Sequence, residues 1–369
     1  MVEMRTLGDF ATFKYGKMPD KKKLSEHGKY PVYSGYRYVG YYDEYNTEAN
    51  QLIIVARGVG GTGDVKLTKE RCYLTNLSIS AEIDQNVALP EFLYYYYLPR
   101  NLRYLDSGSA QSQITISDLE KVVIPLPSLR EQKVICEYLN ALDHKIAINT
   151  EVNNNLLQQM ESLYKAWFKD FVPFNGDCPA DWKKADIYSI ANIIYGAPFS
   201  SKLFNTDGDG MPIIRIRDLR EQAFVTYTTE QHPKGHLIQP GDIVVGMDGE
   251  FRPYIWGNTA AWLNQRVCIF ENKRPKGKAF ILFTIKPLLY QIEQTQVATT
   301  VIHIGKKDYD AFEFLLPNEN TLDQFDEITC LMIEQIVANC LENKRLSEMR
   351  DALLPKLMSG ELNISDIDF

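Results

Sequence analysis

The chain lacks the features that mark proteins outside the ordinary globular class. No apolar run in its 369 residues reaches the roughly 18 residues that span a bilayer. The N-terminal MVEMRTLGDF has neither the apolar stretch nor the cleavage site of a signal peptide. The six cysteines form no CxxC pair, which argues against a zinc knuckle and a disulfide framework. We therefore expect buried thiols, no metal site and a cytoplasmic location without a membrane.

Signatures of nucleotide and methyl-group chemistry are also missing. The chain has no GxxxxGK[ST] phosphate loop, no [ND]PP[YF] methyltransferase signature and no GxGxxG after a strand. One weak nuclease-like pattern remains, in which Asp248 and Glu271 with Lys273 could hold a metal and a water. The equivalent place in the first half, residues 82–84 (EID), has no lysine. We therefore expect no catalysis and no cofactor in this chain.

Charge is present but unevenly distributed, and the net charge is −8. Residues 1–127 hold 15 Lys+Arg and 15 Asp+Glu, residues 128–172 hold 5 and 6, residues 173–317 hold 16 and 16, and residues 318–369 hold 4 and 11. Most of the acidity therefore lies in the last segment. The two large segments are neutral, and a neutral domain can still carry a basic face. We take these four segments as two globular domains, each followed by a helical region.

An internal repeat with a period of about 190 residues supports this division. MRTLGDFATFKYG (4–16) is similar to DIYSIANIIYG (186–196), and TISDLEKVVIPLP (115–127) is similar to GKKDYDAFEFLLP (305–317). The matches continue beyond the final proline of each block. They pair Leu129 and Gln132 with Leu322 and Gln324, and Leu156, Leu163 and Trp167 with Leu346, Leu353 and Leu357. PLPSLREQ becomes LLPNENTLDQ in the second copy, which predicts a longer loop there.

Two long helices are predicted where apolar residues recur every three or four positions, in residues 130–171 and 322–354. This narrow stripe is typical of a coiled coil, and the asparagines of residues 149–154 would form a polar layer that fixes its register. Because such a stripe cannot be buried alone, we expect the helices to pair antiparallel, with Pro355 ending or kinking the second. The positions assigned to the pair are Leu139, Leu142, Ile146, Leu156, Trp167, Phe325, Ile336, Leu346 and Leu353, with Ile328 and Met349 in the same repeat.

The two large segments have the pattern of mixed α/β domains. Short β-rich runs bounded by turn residues are QLIIVARG (51–58), FLYYYYL (92–98), DIVVGMDG (242–249) and RVCIFE (266–271). TISDLEKV predicts a short helix with a Thr or Ser cap, followed by a final strand in VVIPLP. The predicted fold is therefore two similar α/β domains separated by a long antiparallel two-helix coiled coil, with a pseudo-two-fold internal repeat.

Several of these strings together resemble the specificity subunits of type I restriction-modification systems. They are IPLPSLREQKVICEYLNALDHKI with LYKAWFKDF (124–171), LSEMRDALLPKLMSGEL (346–362), SGSAQSQITISDLEKV, DIVVGMDGEF and LNQRVCIFE. The resemblance covers essentially the whole chain. It implies two target recognition domains, each reading half of an asymmetric split site in double-stranded DNA. It also implies a helical spacer that docks two methyltransferase subunits, which would bind S-adenosylmethionine, and restriction subunits in the full complex.

Candidate DNA contacts are basic, aromatic and amide side chains in loops, since Arg and Lys suit guanine or phosphate and amides suit adenine. In residues 1–127 they are Lys14, Lys17, Lys22, Tyr36, Arg37, Arg57, Lys66, Ser109, Gln111 and Gln113. In residues 173–317 they are Lys202, Arg215, Arg217, Arg252, Tyr254, Arg266, Thr300 and Lys306.

In IRIRDL, alternation predicts that Arg215 and Arg217 share one strand face. Solvated surface loops are the plain alternative for each of these positions. For the whole chain, the alternatives are a duplicated coiled-coil adaptor that does not read DNA, or a metal-dependent nuclease.

Overall fold

A computed structural model describes residues 3–35, 37–58, 61–106, 113–295 and 303–359. The chain forms two compact units. Unit 1 comprises Met1–His144 with Ser347–Phe369, and unit 2 comprises Lys145–Leu346. Within the described ranges, no helix is long and apolar enough to cross a membrane.

Unit 1 is built from short strands, two short helices and parts of two long ones. Its strands are β1 Glu3–Thr6, β2 Ala11–Tyr15, β3 Tyr30–Ser34, β4 Arg37–Tyr42, β5 Leu52–Val55, β6 Val65–Leu67, β7 Tyr73–Leu74, β8 Ser78–Ile83 and β9 Val123–Leu126. Its helices are α1 Pro90–Tyr97, α2 Ile116–Glu120 and the first part of α3 Leu129–Phe168.

The core of unit 1 lies under an antiparallel sheet in the order β2-β8-β5-β6. A second sheet has the order β4-β3-β7, with β3 parallel to β7, and β1 pairs with β9. Phe92 and Leu93 of α1 pack into the same apolar cluster as Leu139 of α3. The N-cap Thr115 of α2 accepts a hydrogen bond from the backbone N–H of Asp118, which confirms the predicted cap.

Unit 2 has the same kinds of elements in the same order. Its strands are β10 Lys183–Asp186, β11 Ala191–Tyr195, β12 Phe204–Asn205, β13 Met211–Ile214, β14 Tyr227–Thr228, β15 Leu237–Ile238, β16 Ile243–Gly246, β17 Pro253–Ile255, β18 Ala261–Leu263, β19 Val267–Asn272 and β20 Glu313–Leu316. Its helices are α4 Lys278–Thr295, α5 Lys306–Tyr309, the rest of α3 and most of α6 Glu319–Ser359, whose residues 347–359 belong to unit 1.

The sheets of unit 2 repeat those of unit 1. The order β11-β19-β16-β17 matches β2-β8-β5-β6, and β10 pairs with β20 as β1 pairs with β9. In the order β12-β14-β13-β18-β15, the parallel pair β13 and β18 matches β3 and β7. Two glycines show how close the match is. A Cβ added to Gly16 would lie 2.3 Å from the carbonyl oxygen of Thr75, and one added to Gly196 would lie 2.0 Å from that of Asn264.

The two long helices pair antiparallel in unit 2, as predicted. Asn149 Nδ2 donates to Asn343 Oδ1 at 2.9 Å, and Asn339 Nδ2 donates to Asn153 Oδ1 at 2.8 Å. Asn149 and Asn339 are 190 residues apart, and so are Asn153 and Asn343. Moving by one repeat thus turns the pair Asn149–Asn343 into the pair Asn339–Asn153. This is what a local pseudo-two-fold relation between the paired helix segments would produce.

Helix positions near the domains bury their side chains in domain cores rather than in a coiled-coil seam. Leu139 is fully buried in the core of unit 1, and Phe325 is fully buried in that of unit 2. Leu142 and Ile336 are also buried, and Ile146, Leu156, Trp167, Leu346 and Leu353 are half-buried. Ile328 and Met349 are 47% exposed, so their predicted place in the seam is wrong. A strict seven-residue repeat drifts round a straight helix, which carries such positions to the outside.

Residues 92–98 form helix α1, and their predicted strand is wrong. Pro90 occupies the first turn, where its fixed φ favours a helix, and the turn-spaced Phe92, Leu93 and Tyr97 are buried. Tyr95 Oη donates to Asp143 Oδ2 of α3 at 2.8 Å, and Asp143 also binds Arg350 of α6 at 2.7 Å. Packing against the sheet and α3 therefore overrides the β propensity of a tyrosine run.

Helix α6 does not end at Pro355, and the predicted longer loop is wrong. Helix α6 runs through Pro355 to Ser359, because Leu354, Leu357 and Met358 of its last turns are buried in the core of unit 1. Each long helix begins two residues after its proline, Pro127 or Pro317. The loops before the two helices are therefore equal in length.

Because the two loops are equal in length, Gln132 corresponds to a different residue of the second copy than the sequence comparison predicts. Gln132 corresponds to Leu322, because their N–H groups bind the carbonyls of the equivalent residues Ser128 and Asn318 at 2.9 and 3.1 Å. The buried Gln132 side chain donates to the carbonyls of Val87 and Pro127 and accepts from Leu89 N–H at 2.8 Å. In the second copy an ion pair, from Arg274 Nε to Asp326 Oδ2 at 3.1 Å, joins the loop after β19 to α6.

We predict that Gln132→Leu, which introduces the residue found in the second copy, destabilises unit 1. It would leave three partly buried backbone groups without these partners, each worth up to about 1–3 kcal/mol. The midpoint of thermal unfolding, followed by circular dichroism, should fall clearly below that of the wild type. The neighbouring exposed variant Lys133→Leu is the control and should leave it nearly unchanged. Equal midpoints for the two variants would contradict this role of Gln132.

We also predict that Leu139→Ala lowers the free energy of unfolding by about 2–5 kcal/mol, because it opens a cavity in a core. Met349→Ala, on the exposed side of α6, should change it by less than about 0.5 kcal/mol. Urea unfolding of both variants measures the difference. A similar loss in both would mean that Leu139 does not belong to the core of unit 1.

Candidate nucleic-acid interface

Five loops of unit 1 meet where β5 ends. Ala56, which follows β5, donates from its N–H to Leu77 O at 2.9 Å and accepts from Ile114 N–H at 3.0 Å. Arg57 then bridges to Gln113 in an antiparallel backbone contact. The neighbouring loops are tied in by Lys17 N–H to Leu74 O at 2.9 Å and Thr75 N–H to Tyr33 O at 3.0 Å. We call this surface loop edge 1, made of Lys17, Gly35, Arg57, Thr75 and Gln113.

The side chains of loop edge 1 are mostly hydrogen-bond donors. Lys17 is exposed, and Arg57 and Gln113 are half-buried. Arg57 Nε is buried and, within the part of the chain that the structure describes, has no hydrogen-bond partner. A Cβ on Gly35 would lie 3.7 Å from Arg57 O, so the turn that leads to Arg37 adjoins this arginine. The predicted residues Lys17, Arg57 and Gln113 therefore come together.

Unit 2 repeats this arrangement with other side chains. Met247 donates from its N–H to Arg266 O at 2.9 Å and accepts from Ile304 N–H at 2.9 Å. Asp248 then bridges to His303, as Arg57 does to Gln113. Ala197 N–H binds Leu263 O at 3.0 Å, and Asn264 N–H binds Ile214 O at 3.2 Å. We call this surface loop edge 2, made of Ala197, Arg215, Asp248, Arg266 and His303.

Three side chains of loop edge 2 contact one another. His303 Nδ1 lies 2.6 Å from Asp248 Oδ1 and 3.0 Å from Met247 O. Arg266 Nη1 lies 3.1 and 3.3 Å from the two ring nitrogens of His303, and Arg266 Nε lies 3.7 Å from Asp248 Oδ2. Asp248 and His303 are also polar residues that the sequence offers as candidate contacts. The repeat places them about 190 residues after Arg57 and Gln113.

Apart from Arg37, which closely follows Gly35 of loop edge 1, the remaining predicted residues of unit 1 lie on other elements or outside the described residues. Lys14 on the edge strand β2 pairs with Glu82 on the neighbouring β8 at 3.4 Å. Lys22 is exposed in a short 3₁₀ turn, and Lys66 is exposed on β6. Arg37 opens β4 and is exposed. Tyr36, Ser109, Gln111 and, in the second half, Thr300 lie outside the described residues.

Arg215 and Arg217 do not share a strand face, so that prediction is wrong. Strand β13 ends at Ile214, and Arg215 caps a 3₁₀ turn by donating from its N–H to Asp218 Oδ2 at 3.0 Å. The buried Asp218 carboxylate accepts this bond and so turns the chain out of the strand. Arg217 points elsewhere, toward Thr226 Oγ1 at 3.3 Å.

Other predicted cations of unit 2 are engaged within the chain. Arg252 binds both carboxylate oxygens of Glu293 on α4, and its guanidinium lowers the pKa of that carboxyl. Lys306 binds Asp310 at 2.9 Å. Lys202 is exposed in a 3₁₀ turn, and Tyr254 is half-buried on β17, where burial raises the pKa of its hydroxyl. Arg252 is thus less available for DNA than Arg57 or Arg266.

The nuclease-like pattern does not form a site. Asp248 follows β16, whose Gly246 pairs with Val267 at the start of β19, whereas Glu271 lies toward the other end of β19. Strands rise about 3.3 Å per residue, so the two carboxylates lie on the order of 13 Å or more apart. Lys273 Nζ binds the carbonyl of Tyr188. Among the described residues, no group of three or more His, Cys, Asp or Glu is placed to hold a metal.

The long helices also expose apolar side chains. Ile148 and Val152 are 41% and 38% exposed and stand one turn apart on α3. Leu331, one turn from Ile328 on α6, is 65% exposed. Solvent-facing apolar residues at helical spacing form a surface that another protein can cover.

Comparison with known proteins gives a consistent result. A family model described as the type I restriction modification DNA specificity domain matches residues 1–158 and again 179–343. The EcoBI specificity subunit of Escherichia coli is 33% identical over 51% of this chain and 41% of its own length. The HindI specificity subunit of Haemophilus influenzae is 21% identical over 76% and 79%. A crystal structure of a type I S subunit from M. genitalium shares the fold, with a TM-score of 0.62 and 19% identity over 97% and 96% of the two chains.

Proposed function

The chain belongs to the type I restriction modification DNA specificity family, and we propose that its two domains read the two halves of an asymmetric DNA site. The observation that carries this proposal is the pair of loop edges. Their backbone hydrogen bonds are the same, but Arg57 and Gln113 in one are replaced by Asp248 and His303 in the other. Two equal scaffolds with different donors and acceptors suit two different half-sites, because base edges are read by such groups.

The position of the cations supports duplex DNA as the ligand. Each domain is neutral overall, so its general attraction to phosphate is weak, and the few cations at the loop edges become the important contacts. Lys17 and Arg57 lie at loop edge 1, and Arg215 and Arg266 lie at loop edge 2. We propose that these four residues contact DNA and that Gln113 contributes an amide to the first half-site.

The helices supply the surface for partner subunits in this proposal. The exposed Ile148, Val152 and Leu331, together with the acidic last segment, suit protein rather than phosphate. We propose that two methyltransferase subunits dock there, and that they bind S-adenosylmethionine and carry out the chemistry. Restriction subunits then join the complex, which acts on DNA in the cytoplasm. The specificity chain itself contributes selection and positioning.

A duplicated adaptor that does not read DNA remains the other hypothesis. It would explain the paired helices but not the two loop edges. The discriminating experiment co-expresses the chain with its cognate methyltransferase and maps methylated bases across the host genome. A bipartite methylated motif supports DNA reading, and methylation without a motif, or none at all, would support the adaptor.

We predict that Arg57→Ala lowers the affinity of the complex for its specific duplex by about 1–3 kcal/mol, the value of one good arginine–base contact. Fluorescence anisotropy with the mapped duplex measures it at fixed salt. Arg5→Ala, an exposed arginine paired with Glu3 on β1, is the matched control and should bind as the wild type does. Unchanged affinity of the Arg57 variant would remove this residue from the interface.

We also predict that lengthening the helix pair lengthens the gap between half-sites. Seven residues inserted after Ile146 in α3 and seven after Arg345 in α6 keep both the Asn149–Asn343 and the Asp143–Arg350 contacts in register. The insertion adds about 10 Å of helix, or at most about three base pairs. Methylome mapping reads the gap directly. A motif with its original gap would disprove the spacer role.

A further inference from the structure

The contacts among Asp248, Arg266 and His303 need an explanation beyond folding. In loop edge 1 the same three backbone positions carry Arg57, Leu77 and Gln113. The two backbone hydrogen bonds of Ala56 and the two of Met247 differ by no more than 0.1 Å, at 2.9 and 3.0 Å in one copy and 2.9 and 2.9 Å in the other. The fold is thus maintained without these three side chains, and their interaction is particular to the second domain.

Stability alone does not account for the cluster. Arg266 is 52% exposed and His303 45% exposed, while Asp248 is 26% exposed. Ion pairs this open to water contribute about 0–1 kcal/mol, because solvent screens them and ordering long side chains opposes them. The cluster instead places an ordered arginine at the surface, with the carboxylate on its inner side.

The contacts of His303 and Asp248 show which part of the Arg266 guanidinium is already engaged. Two acceptors, Asp248 Oδ1 and Met247 O, surround His303 Nδ1, so this nitrogen carries the proton. Arg266 Nη1 is nearly equidistant from the two ring nitrogens, 3.1 Å from Nδ1 and 3.3 Å from Nε2, so the guanidinium lies over the face of the imidazole. Of the five N–H groups of the guanidinium, one faces Asp248 and one faces His303. About half of the Arg266 side chain remains exposed.

An arginine held in this way is suited to guanine. The guanidinium fork matches the O6 and N7 acceptors on the major-groove edge of guanine, and no other base offers two acceptors there. Holding the side chain before binding reduces the ordering entropy that a free arginine would lose. Lysine has the same charge but lacks the planar two-nitrogen fork that matches guanine.

We propose that Arg266 reads a guanine in the half-site bound by the second domain, with Asp248 and His303 as positioning residues. This inference rests on the proposed function, because it presupposes that loop edge 2 faces DNA. It also assigns a difference between the half-sites. Loop edge 1 has Leu77 at this position and therefore reads no base through it.

The test uses the complex of the chain with its methyltransferase and the duplex mapped by methylome sequencing. Each guanine of both half-sites is replaced, one at a time, by 7-deazaguanine, which lacks the N7 acceptor but still pairs with cytosine. For the wild type we expect a guanine in the half-site of the second domain at which this change weakens binding on the order of 10- to 100-fold through loss of the arginine contact.

Two substitutions at Arg266 identify the reader. Arg266→Ala should bind the natural duplex weakly. Replacing the guanine at that position by 7-deazaguanine should lower its affinity by less than about a further twofold. Arg266→Lys keeps the charge, so it should retain non-specific binding and its salt dependence while losing the same discrimination. Both variants should treat guanines of the other half-site as the wild type does.

Asp248→Asn tests positioning. At that one position, it should reduce the ratio of the affinity for guanine to the affinity for 7-deazaguanine. Thermal unfolding and the same ratio at guanines of the other half-site should not change. Asp248→Glu, which restores the carboxylate, should recover part of the ratio. A structural role alone would change the stability and leave the ratio intact.

Three outcomes would overturn the inference. The first is a mapped motif in which neither half-site contains a G·C pair, because Arg266 would then have no guanine to read. Wild-type discrimination at every guanine in Arg266→Lys also excludes it, as does equal discrimination in Asp248→Asn. A wild-type complex that binds no specific duplex would instead refute the proposed function.

Discussion

The structure depends on the need to cover the apolar stripe of two helices about forty residues long. In unit 1 the first turns of α3 are covered by a domain core that contains Leu139, and in unit 2 its last turns are covered by one that contains Tyr164 and Phe168. Burial there raises the pKa of the Tyr164 hydroxyl to about 12, and this hydroxyl lies 3.0 Å from Thr284 Oγ1 of α4. The helix ends are thus parts of domain cores, where they also contact each other, as Trp167 and Phe168 of α3 do with Phe325 of α6. The middle of the pair is held by contacts between the two helices.

That middle is held by amides rather than by leucines. The pairs Asn149–Asn343 and Asn153–Asn339 are satisfied in one register. A slip by one turn would bury amides without partners, at about 1–3 kcal/mol for each unpaired group. An all-apolar seam would tolerate the slip more easily. Because the repeat exchanges the two pairs, both copies have kept asparagine at both positions.

The repeat also shows which parts of a copy are free to change. At the loop edges, backbone hydrogen bonds hold the loops, so the side chains at 57 and 248 carry opposite charges with no change of fold. Gln132 and Leu322 show a second kind of change. The copy that lost the buried amide joins its helix to the domain through Arg274 and Asp326 instead. Scaffold positions therefore differ only where another contact replaces the first, whereas loop-edge positions differ without replacement.

Much of this could be predicted from the chain alone. The repeat, both long helices, the capped helix α2, strands β5, β16 and β19 and the antiparallel pairing with its asparagine layer follow from local patterns and from comparison of the halves. Lys17, Arg57 and Gln113 were predicted as contacts, and the structure brings them together. These features are encoded by neighbours in sequence or by a fixed offset, which periodicity and capping rules can detect.

Only the tertiary structure decided the rest. Residues 92–98 have strand propensity but form α1, because burial against the sheet and α3 outweighs it. Whether an arginine is available is also a long-range property. Arg252 is held by Glu293 some 40 residues away, and Arg266 is held at the surface by Asp248 and His303. Local sequence specifies which groups exist and which elements they join, but only packing between distant segments determines which groups meet and which remain to bind a partner.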